Sequence, residues 1–513
     1  MIKKFILFLS LFLFIFNISF SENQSPQFGG RIYVGLNIPS FDLLDPKSYP
    51  KEIYTLLFES LIYVDPVTFK IEPQLAKAWR ISRDGREWIF YLRNNIKWGD
   101  GTLLSIEDIF FSFDQKGNFQ LEKIDDLTIK IVFPDSFYPL YNSLPLVIPK
   151  DFSKKYLEKK IVFGTGPFIL EKYSSNGEIL FKKNPYYWKK DLKGNRLPYL
   201  NELVINLKPL ITEKFDIIEL MPKDFEKIKE LEKKYEVYNL GPSLESDILL
   251  INQNPISSIP KYKIKWFQDL RFRRAIAHAI NRELISKEVY FGFASSIFSP
   301  VNPISPYYTP HIFKYDYDLE KSKKILENLG FKDRDGDGFL EDVFKNSLEI
   351  NLLVEDNEES RKIAEILKED FEKIGIKLNI TRKNSISLRL FQNFNWEFML
   401  LKYKWNFDPI KDRDIYLSRG AQHFWYPFQR KPFYSWEGEI DALFNKLLGA
   451  KSISEKKLIF YNIQRIWTKN LPLIIILNPS LIYLAKDNVK NFKPSLYFGP
   501  LWNSYDIFIN SKI

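Results

Sequence analysis

The stretch from Leu348 to Ile380 changes its apolar period twice, and nothing else in the chain restricts the fold as strongly. Leu348 to Val354 is a strand-sized apolar run. Ile363, Ile366, Leu367, Phe371 and Ile374 then recur at helical spacing, Gly375 ends the helix, and Ile376 to Ile380 is strand-sized again. Two strands joined by roughly twelve helical residues make a βαβ unit, so this region holds a mixed or parallel sheet. The fold class is therefore α/β.

Other segments fill in around that unit. Arg31 to Leu36 reads as a strand, and Glu52 to Tyr63 as an amphipathic helix. Trp79 to Ser82 and Trp88 to Arg93 form a hairpin about Arg83-Asp84-Gly85. Ser105 with Asp108 resembles a capping pair opening a helix on Ile109, Phe110 and Phe113. Strands are expected at Leu127 to Phe133, Leu144 to Ile148, Phe168 to Lys172 and Glu202 to Leu207, with an ordered loop from Asn184 to Tyr199. From Asp269 the pattern turns helical, with further helices at Leu319 to Leu329, Ile440 to Leu448 and Glu455 to Thr468, and a buried strand at Leu473 to Leu477. At about 150 residues per domain, 513 residues suggest three or so domains.

Composition removes many chemistries. There is no cysteine, which excludes disulfide scaffolds, thiolate metal sites, thiol nucleophiles and a lipidated N-terminus. The histidines are His278, His311 and His423, without HExxH spacing, and no GxSxG, GxGxxG or GxxxxGK motif occurs. The formal charge of +10 is spread out: the Lys-rich stretches at 154–160 and 451–457 are interrupted by Glu158 and Glu455, unlike a nucleic-acid stripe. No nucleic-acid partner is expected. Lys3 and Lys4 precede an apolar run from Phe5 to Phe16, and Ser19 and Ser21 offer small residues two apart. Residues 1–21 therefore read as a signal peptide cleaved before Glu22, giving a soluble periplasmic or secreted protein that is not a lipoprotein.

Several of these segments, taken in order, resemble the family 5 extracellular solute-binding proteins, the peptide- and nickel-type binding components of ABC importers. The resemblance is carried by the stretch from Glu72 to Phe113, by Gly164-Thr165-Gly166-Pro167-Phe168, by Asn184-Pro185-Tyr186-Tyr187-Trp188, by Phe272-Arg273-Arg274-Ala275 with Ala279-Ile280-Asn281-Arg282, by Glu439-Ile440-Asp441-Ala442-Leu443 and by Leu471-Pro472-Leu473-Ile474. It implies a class II periplasmic-binding-protein-like clam-shell of two lobes with an additional inserted domain. Domain I would comprise residues 22–60, 164–265 and 483–513, domain II residues 61–163, and domain III, the second lobe, residues 266–482. It further implies a non-enzymatic, monomeric protein that needs no cofactor. Such a protein captures an oligopeptide-like or other small solute between the lobes and delivers it to an inner-membrane permease.

Peptide binders of this family tend to carry Trp-x-x-Asp-x-x-Asp-Pro in a ligand-facing loop. Here the loop reads Lys402-Tyr403-Lys404-Trp405-Asn406-Phe407-Asp408-Pro409, so Trp405 takes the amine-pairing place if Asp408-Pro409 is the family's Asp-Pro. The expected ligand-binding set is Phe41, Tyr403, Trp405, Asp408, Phe424, Trp425, Tyr426 and Trp502, with stacking on Trp405 as the main contact. The aromatic stretch that includes Phe428, Phe433, Tyr434 and Trp436 reads either as a ligand wall or as a cluster pinning its own loop. Lys402, Lys404, Arg413, Arg419, Arg430 and Lys431 flank it as an anion-attracting or merely solvated face. Trp502 and Tyr505 also look like buried anchors of the C-terminus. Asp333, Asp335 and Asp337, with Gly338 in the sixth place and Glu341 beyond, resemble a calcium loop, with a polar turn as the alternative; a bound ion would be structural. The rival function is a secreted hydrolase pairing two carboxylates among Asp42, Asp45, Asp100 and Asp408, and a third is a chaperone-like protein on the same fold.

Overall fold

The computed structural model describes residues 26–66, 68, 70–114, 119–134, 144–210, 214–386, 394–450 and 452–510. The expected signal peptide lies outside these residues. Period-two burial makes Arg31–Leu36 a strand: Ile32, Val34 and Leu36 are buried and Arg31 is exposed. It pairs in parallel with Glu202–Leu207 on one side and Ile217–Leu220 on the other, and Glu178–Lys183 and Phe168–Tyr173 extend the sheet antiparallel.

The βαβ unit is present. Glu349–Glu355 lies parallel to Lys377–Lys383, and the helix Glu358–Glu372 crosses between them, burying Ile363, Ala364, Leu367 and Phe371. Phe398–Lys404 and Glu245–Ile251 continue this second half of the sheet. Alternation along Glu245–Ile251 sends Leu249 and Ile251 into one helical layer and Ile248 and Leu250 into the other, against Ser435–Leu448 and Ile453–Asn470. A separate four-stranded sheet of Ala76–Ile81, Glu87–Leu92, Thr128–Val132 and Gln120–Asp125 packs with helix Ile106–Asp114 around Trp88, Phe90, Ile109 and Phe113. Ser105 and Asp108 do cap that helix, exchanging hydrogen bonds of 3.1 and 3.3 Å.

The two halves of the main sheet share one strand. Leu473–Lys486 pairs through Leu473, Ile474, Ile475 and Leu477 with Glu245–Ile251, then through Ile482 to Ala485 with Ile217–Leu220. The expected short strand at Leu473 to Leu477 is thus the first part of a crossing element.

Two other expectations need correction. The helix expected at Glu52 to Tyr63 is Lys51–Leu57, followed by the strand Ile62–Val64. Its extension is blocked because Gly166 N donates to the Leu57 carbonyl at 2.9 Å, and Gly164 lies so near that a Cβ there would meet that oxygen at 1.9 Å. Leu144 to Ile148 is not a strand: Val147 N goes to the Glu59 carbonyl and Ile148 N to Ser112 Oγ, partners on different elements rather than one ladder.

Candidate functional site: an aromatic cavity between the lobes

A cavity of about 460 Å³ opens where three parts of the chain meet. The first lobe, built on the half of the main sheet that holds Arg31–Leu36, contributes Tyr49, Tyr54 and Phe58 together with Tyr497, Phe498, Trp502 and Tyr505 near the C-terminus. The smaller domain, packed around the four-stranded sheet, contributes Ile62, Tyr63, Leu144 and Pro145, and the second lobe, built on the half of the main sheet that holds the βαβ unit, Pro306, Tyr307, Phe407, Asp408 and Lys457. Its size and a wall of aromatic and aliphatic side chains with a few charged groups suit a small organic solute.

Glu59 is buried at one end of this wall. It accepts from Trp188 Nε1 at 2.7 Å, Gln74 Nε2 at 3.4 Å and Tyr187 Oη at 3.5 Å. Burial pushes its carboxyl up, with the Lys189 charge and the hydrogen bonds from Trp188 and Gln74 pulling the other way. Lys189 is half-buried, with its ammonium 4.1 Å from the Tyr505 ring centroid and 5.5 Å from those of Tyr63 and Trp188. Burial pulls that ammonium down against the attraction of Glu59. On the opposite lobe, Asp408 is 7% exposed and accepts from Ile410 N at 3.1 Å, starting the turn Pro409–Asp412. Burial pushes its carboxyl up to about 6, against the pull of Lys411.

Of the residues expected to hold ligand, Asp408 and Trp502 line the cavity. Trp502 and Tyr505 are half-buried wall residues rather than fully buried anchors. The other six do not reach the cavity. Trp405 is 3% exposed, packs in the second-lobe core and donates from Nε1 to Ser246 Oγ at 2.9 Å. The expected stacking of ligand on Trp405 is therefore replaced by core packing. Tyr403 sits edge-on to Trp405 and Phe424, with centroids 4.6 and 5.5 Å away. Phe41 stacks on Tyr173 at 5.0 Å inside the first lobe.

Trp425 and Tyr426 belong to a loop folded onto a buried carboxylate. Glu437 Oε1 takes His423 Nε2 at 2.9 Å, Trp425 Nε1 at 3.1 Å and Gln429 Nε2 at 3.2 Å, while Oε2 accepts the backbone N–H groups of Phe433 and Tyr434. Tyr426 packs on Phe433 at 5.7 Å. Here the aromatic stretch is a self-pinned loop, the second of its two readings. Glu437 escaped the sequence reading, although its place three residues past Tyr434 at a helix start is capping spacing. Glu59 and Lys189 escaped it too; their signal is a charge set inside apolar and aromatic stretches, Leu56-Leu57-Phe58-Glu59 and Tyr186-Tyr187-Trp188-Lys189.

The acidic loop brings oxygens of Asp333, Asp335, Asp337 and Glu341 within 4.8 Å of one another. Asp333 also accepts from Gly336 N and Gly338 N, and Glu341 from Arg334 N, so part of the coordinating capacity is already used. The four carboxylates of the hydrolase reading are scattered. Asp42 and Asp45 bind nearby backbone N–H groups, Asp100 holds Thr102 and Lys159, and of the four Asp408 alone lines the cavity.

A sheet crossing between two lobes with an aromatic cavity at their junction defines a two-lobed solute-binding protein. The chain belongs to the bacterial extracellular solute-binding proteins, family 5, whose profile, described as the middle region, matches residues 70–423. It is 24% identical over 429 residues to a probable ABC transporter-binding protein of Deinococcus radiodurans, covering 72% of this chain and 71% of that one. It is likewise 24% identical over 375 residues to the dipeptide-binding protein of Escherichia coli, covering 63% of this chain and 65% of the relative's length. The crystal structure of NikA from Brucella suis in complex with Fe(III)-EDTA shares the fold at a TM-score of 0.76 and 17% identity, covering 93% of this chain and all of that one. Among the described residues no helix is long and apolar enough to cross a membrane.

Proposed function

We propose that this protein captures a peptide-like or other small organic solute in the interlobe cavity and delivers it to the permease of an ABC importer. The observation that carries the reading is the aromatic cavity of about 460 Å³ walled by both lobes and the smaller domain, so that a solute there would bridge them. Trp502 and Asp408, on different lobes, both line it, as an aromatic surface and a desolvated carboxylate, and the latter suits a cationic group of the solute. Export by cleavage before Glu22, without lipidation, and a monomeric state complete the proposal, together with a structural calcium ion at Asp333, Asp335, Asp337 and Glu341. Mass spectrometry of material released from the natively purified protein tests the capture reading: a recurrent small solute is expected. Protein that carries none and binds no peptide by calorimetry would overturn it.

A further inference from the structure

Lys189 differs from the other lysines of the cavity in what surrounds it. Its ammonium makes no hydrogen bond or close ion pair among the described residues, and what surrounds it instead are the faces of Tyr63, Trp188 and Tyr505. A partly desolvated ammonium gains something from π faces but keeps unmet hydrogen-bonding capacity. The neighbouring carboxylate does not supply it: no hydrogen bond or close ion pair joins Lys189 to Glu59, whose oxygens accept from Trp188, Gln74 and Tyr187. Asp506 attracts from further off, and burial pushes its carboxyl up. Arg93 adds a second positive charge nearby, but its Nε is held by the Gln74 carbonyl at 2.6 Å and its guanidinium lies 4.1 Å over the Trp188 ring. Of the other lysines on the wall, Lys47 is exposed, and Lys457, likewise without a hydrogen bond or ion pair among the described residues, has no aromatic face beside it and stands on the opposite lobe.

We infer that Lys189 is the recognition point for a carboxylate carried by an otherwise aromatic or apolar solute, an inference that rests on the capture reading above. One free ammonium with no fork of guanidinium donors matches a monoanion better than a phosphate dianion. The three rings line the half-buried ammonium where it stands on the cavity wall, so a carboxylate meeting it there is discriminated from a neutral isostere by a charge-assisted hydrogen bond.

The test uses tri- and tetrapeptides of alanine and phenylalanine, each as the free acid and as the C-terminal amide, titrated calorimetrically into the wild type, Lys189→Met and Lys189→Arg. The wild type should bind an acid at least about tenfold more tightly than its amide. Lys189→Met should bring that ratio below about threefold while leaving amide affinity within about threefold, and Lys189→Arg should keep the preference. Equal binding of acid and amide by the wild type overturns this inference and leaves capture standing, and needs no variant to fold. Equal loss of acid and amide affinity in Lys189→Met would make the residue structural and overturns it as well. Binding of neither peptide form overturns peptide capture and this inference together. A phosphate or sulfate ester released from the native protein, in place of a carboxylic acid, overturns the choice of anion.

Discussion

Buried carboxylates at two positions act in opposite directions on stability. Burial tends to raise the Glu437 carboxyl, but His423, Trp425 and the Tyr434 N–H outweigh it and hold the group below its ordinary 4.5. A depressed carboxylate stabilises the fold above its unfolded value, and that contribution is lost as pH falls through the folded one. Glu437→Ala should therefore lower stability by about 3–5 kcal/mol at pH 7, because the buried donors lose their acceptor. Urea melts of both proteins should show the gap shrinking well below pH 4.5; a gap independent of pH would show that the charge is not what holds the loop. Asp408 is the reverse case, raised from 3.8 to about 6 by burial. Folding then binds a proton more tightly, so its contribution falls as pH rises from 3.8 to about 6. Asp408→Asn keeps an acceptor for Ile410 N and should melt higher than the wild type at pH 7.5, by on the order of 1–3 kcal/mol, with no difference near pH 3.5. Trp405→Ala should cost about 3–5 kcal/mol as a core truncation and change ligand affinity by less than about threefold where the variant is folded. Trp502→Ala should instead weaken binding by ~1–3 kcal/mol with little loss of melting temperature, measured by calorimetry and thermal scans.

At the scale of elements, what was legible was local. The βαβ unit could be read because its strand and helix periods lie next to one another in sequence, and Arg31–Leu36 and Glu202–Leu207 were legible in the same way. The helix that ends at Leu57 was overextended because its stop is set by Gly164 and Gly166, more than a hundred residues away. Leu144 to Ile148 has strand composition but no strand neighbour among the described residues. The cavity wall was mostly illegible for a related reason: aromatic content marks a ring as useful and leaves open whether it packs in a core or on a wall. Trp405 and Trp502 both lie outside strands, the first in the second-lobe core and the second on the cavity wall. The acidic loop is a case where sequence pattern and geometry converge, since Asp333, Asp335, Asp337 and Glu341 do come within 4.8 Å. Crowded carboxylates repel one another unless a cation or solvent compensates. Calcium should raise the melting temperature of the wild type, and Asp335→Ala should abolish the rise; a wild type indifferent to calcium would reduce the loop to a polar turn.

At the scale of the whole molecule, capture depends on how the lobes are joined. Leu473–Lys486 passes from one half of the main sheet to the other, and Pro242 to Glu245 crosses back beside it. Asn478 sits at this double crossing, fully buried, and donates from Nδ2 to the Glu245 carbonyl at 2.8 Å, the Ser243 carbonyl at 3.2 Å and Ser246 Oγ at 2.7 Å. Asn302 adds a second tie, to the carbonyls of Pro242 and Ser243. These bonds fix the angle between the two crossing segments, so their loss should broaden the distribution of lobe orientations as well as destabilise the fold. Asn478→Ala leaves buried carbonyls without that donor, a loss of about 1–3 kcal/mol. If only part of the broadened ensemble aligns the two faces of the cavity, apparent affinity falls by that fraction although no wall residue has changed. The variant should therefore show a larger unliganded radius of gyration by small-angle scattering and a weaker Kd for the solute recovered from the native protein. Saturating solute should restore the wild-type radius. An unchanged radius with unchanged affinity would mean that the lobes are aligned by their packing and not by this clamp.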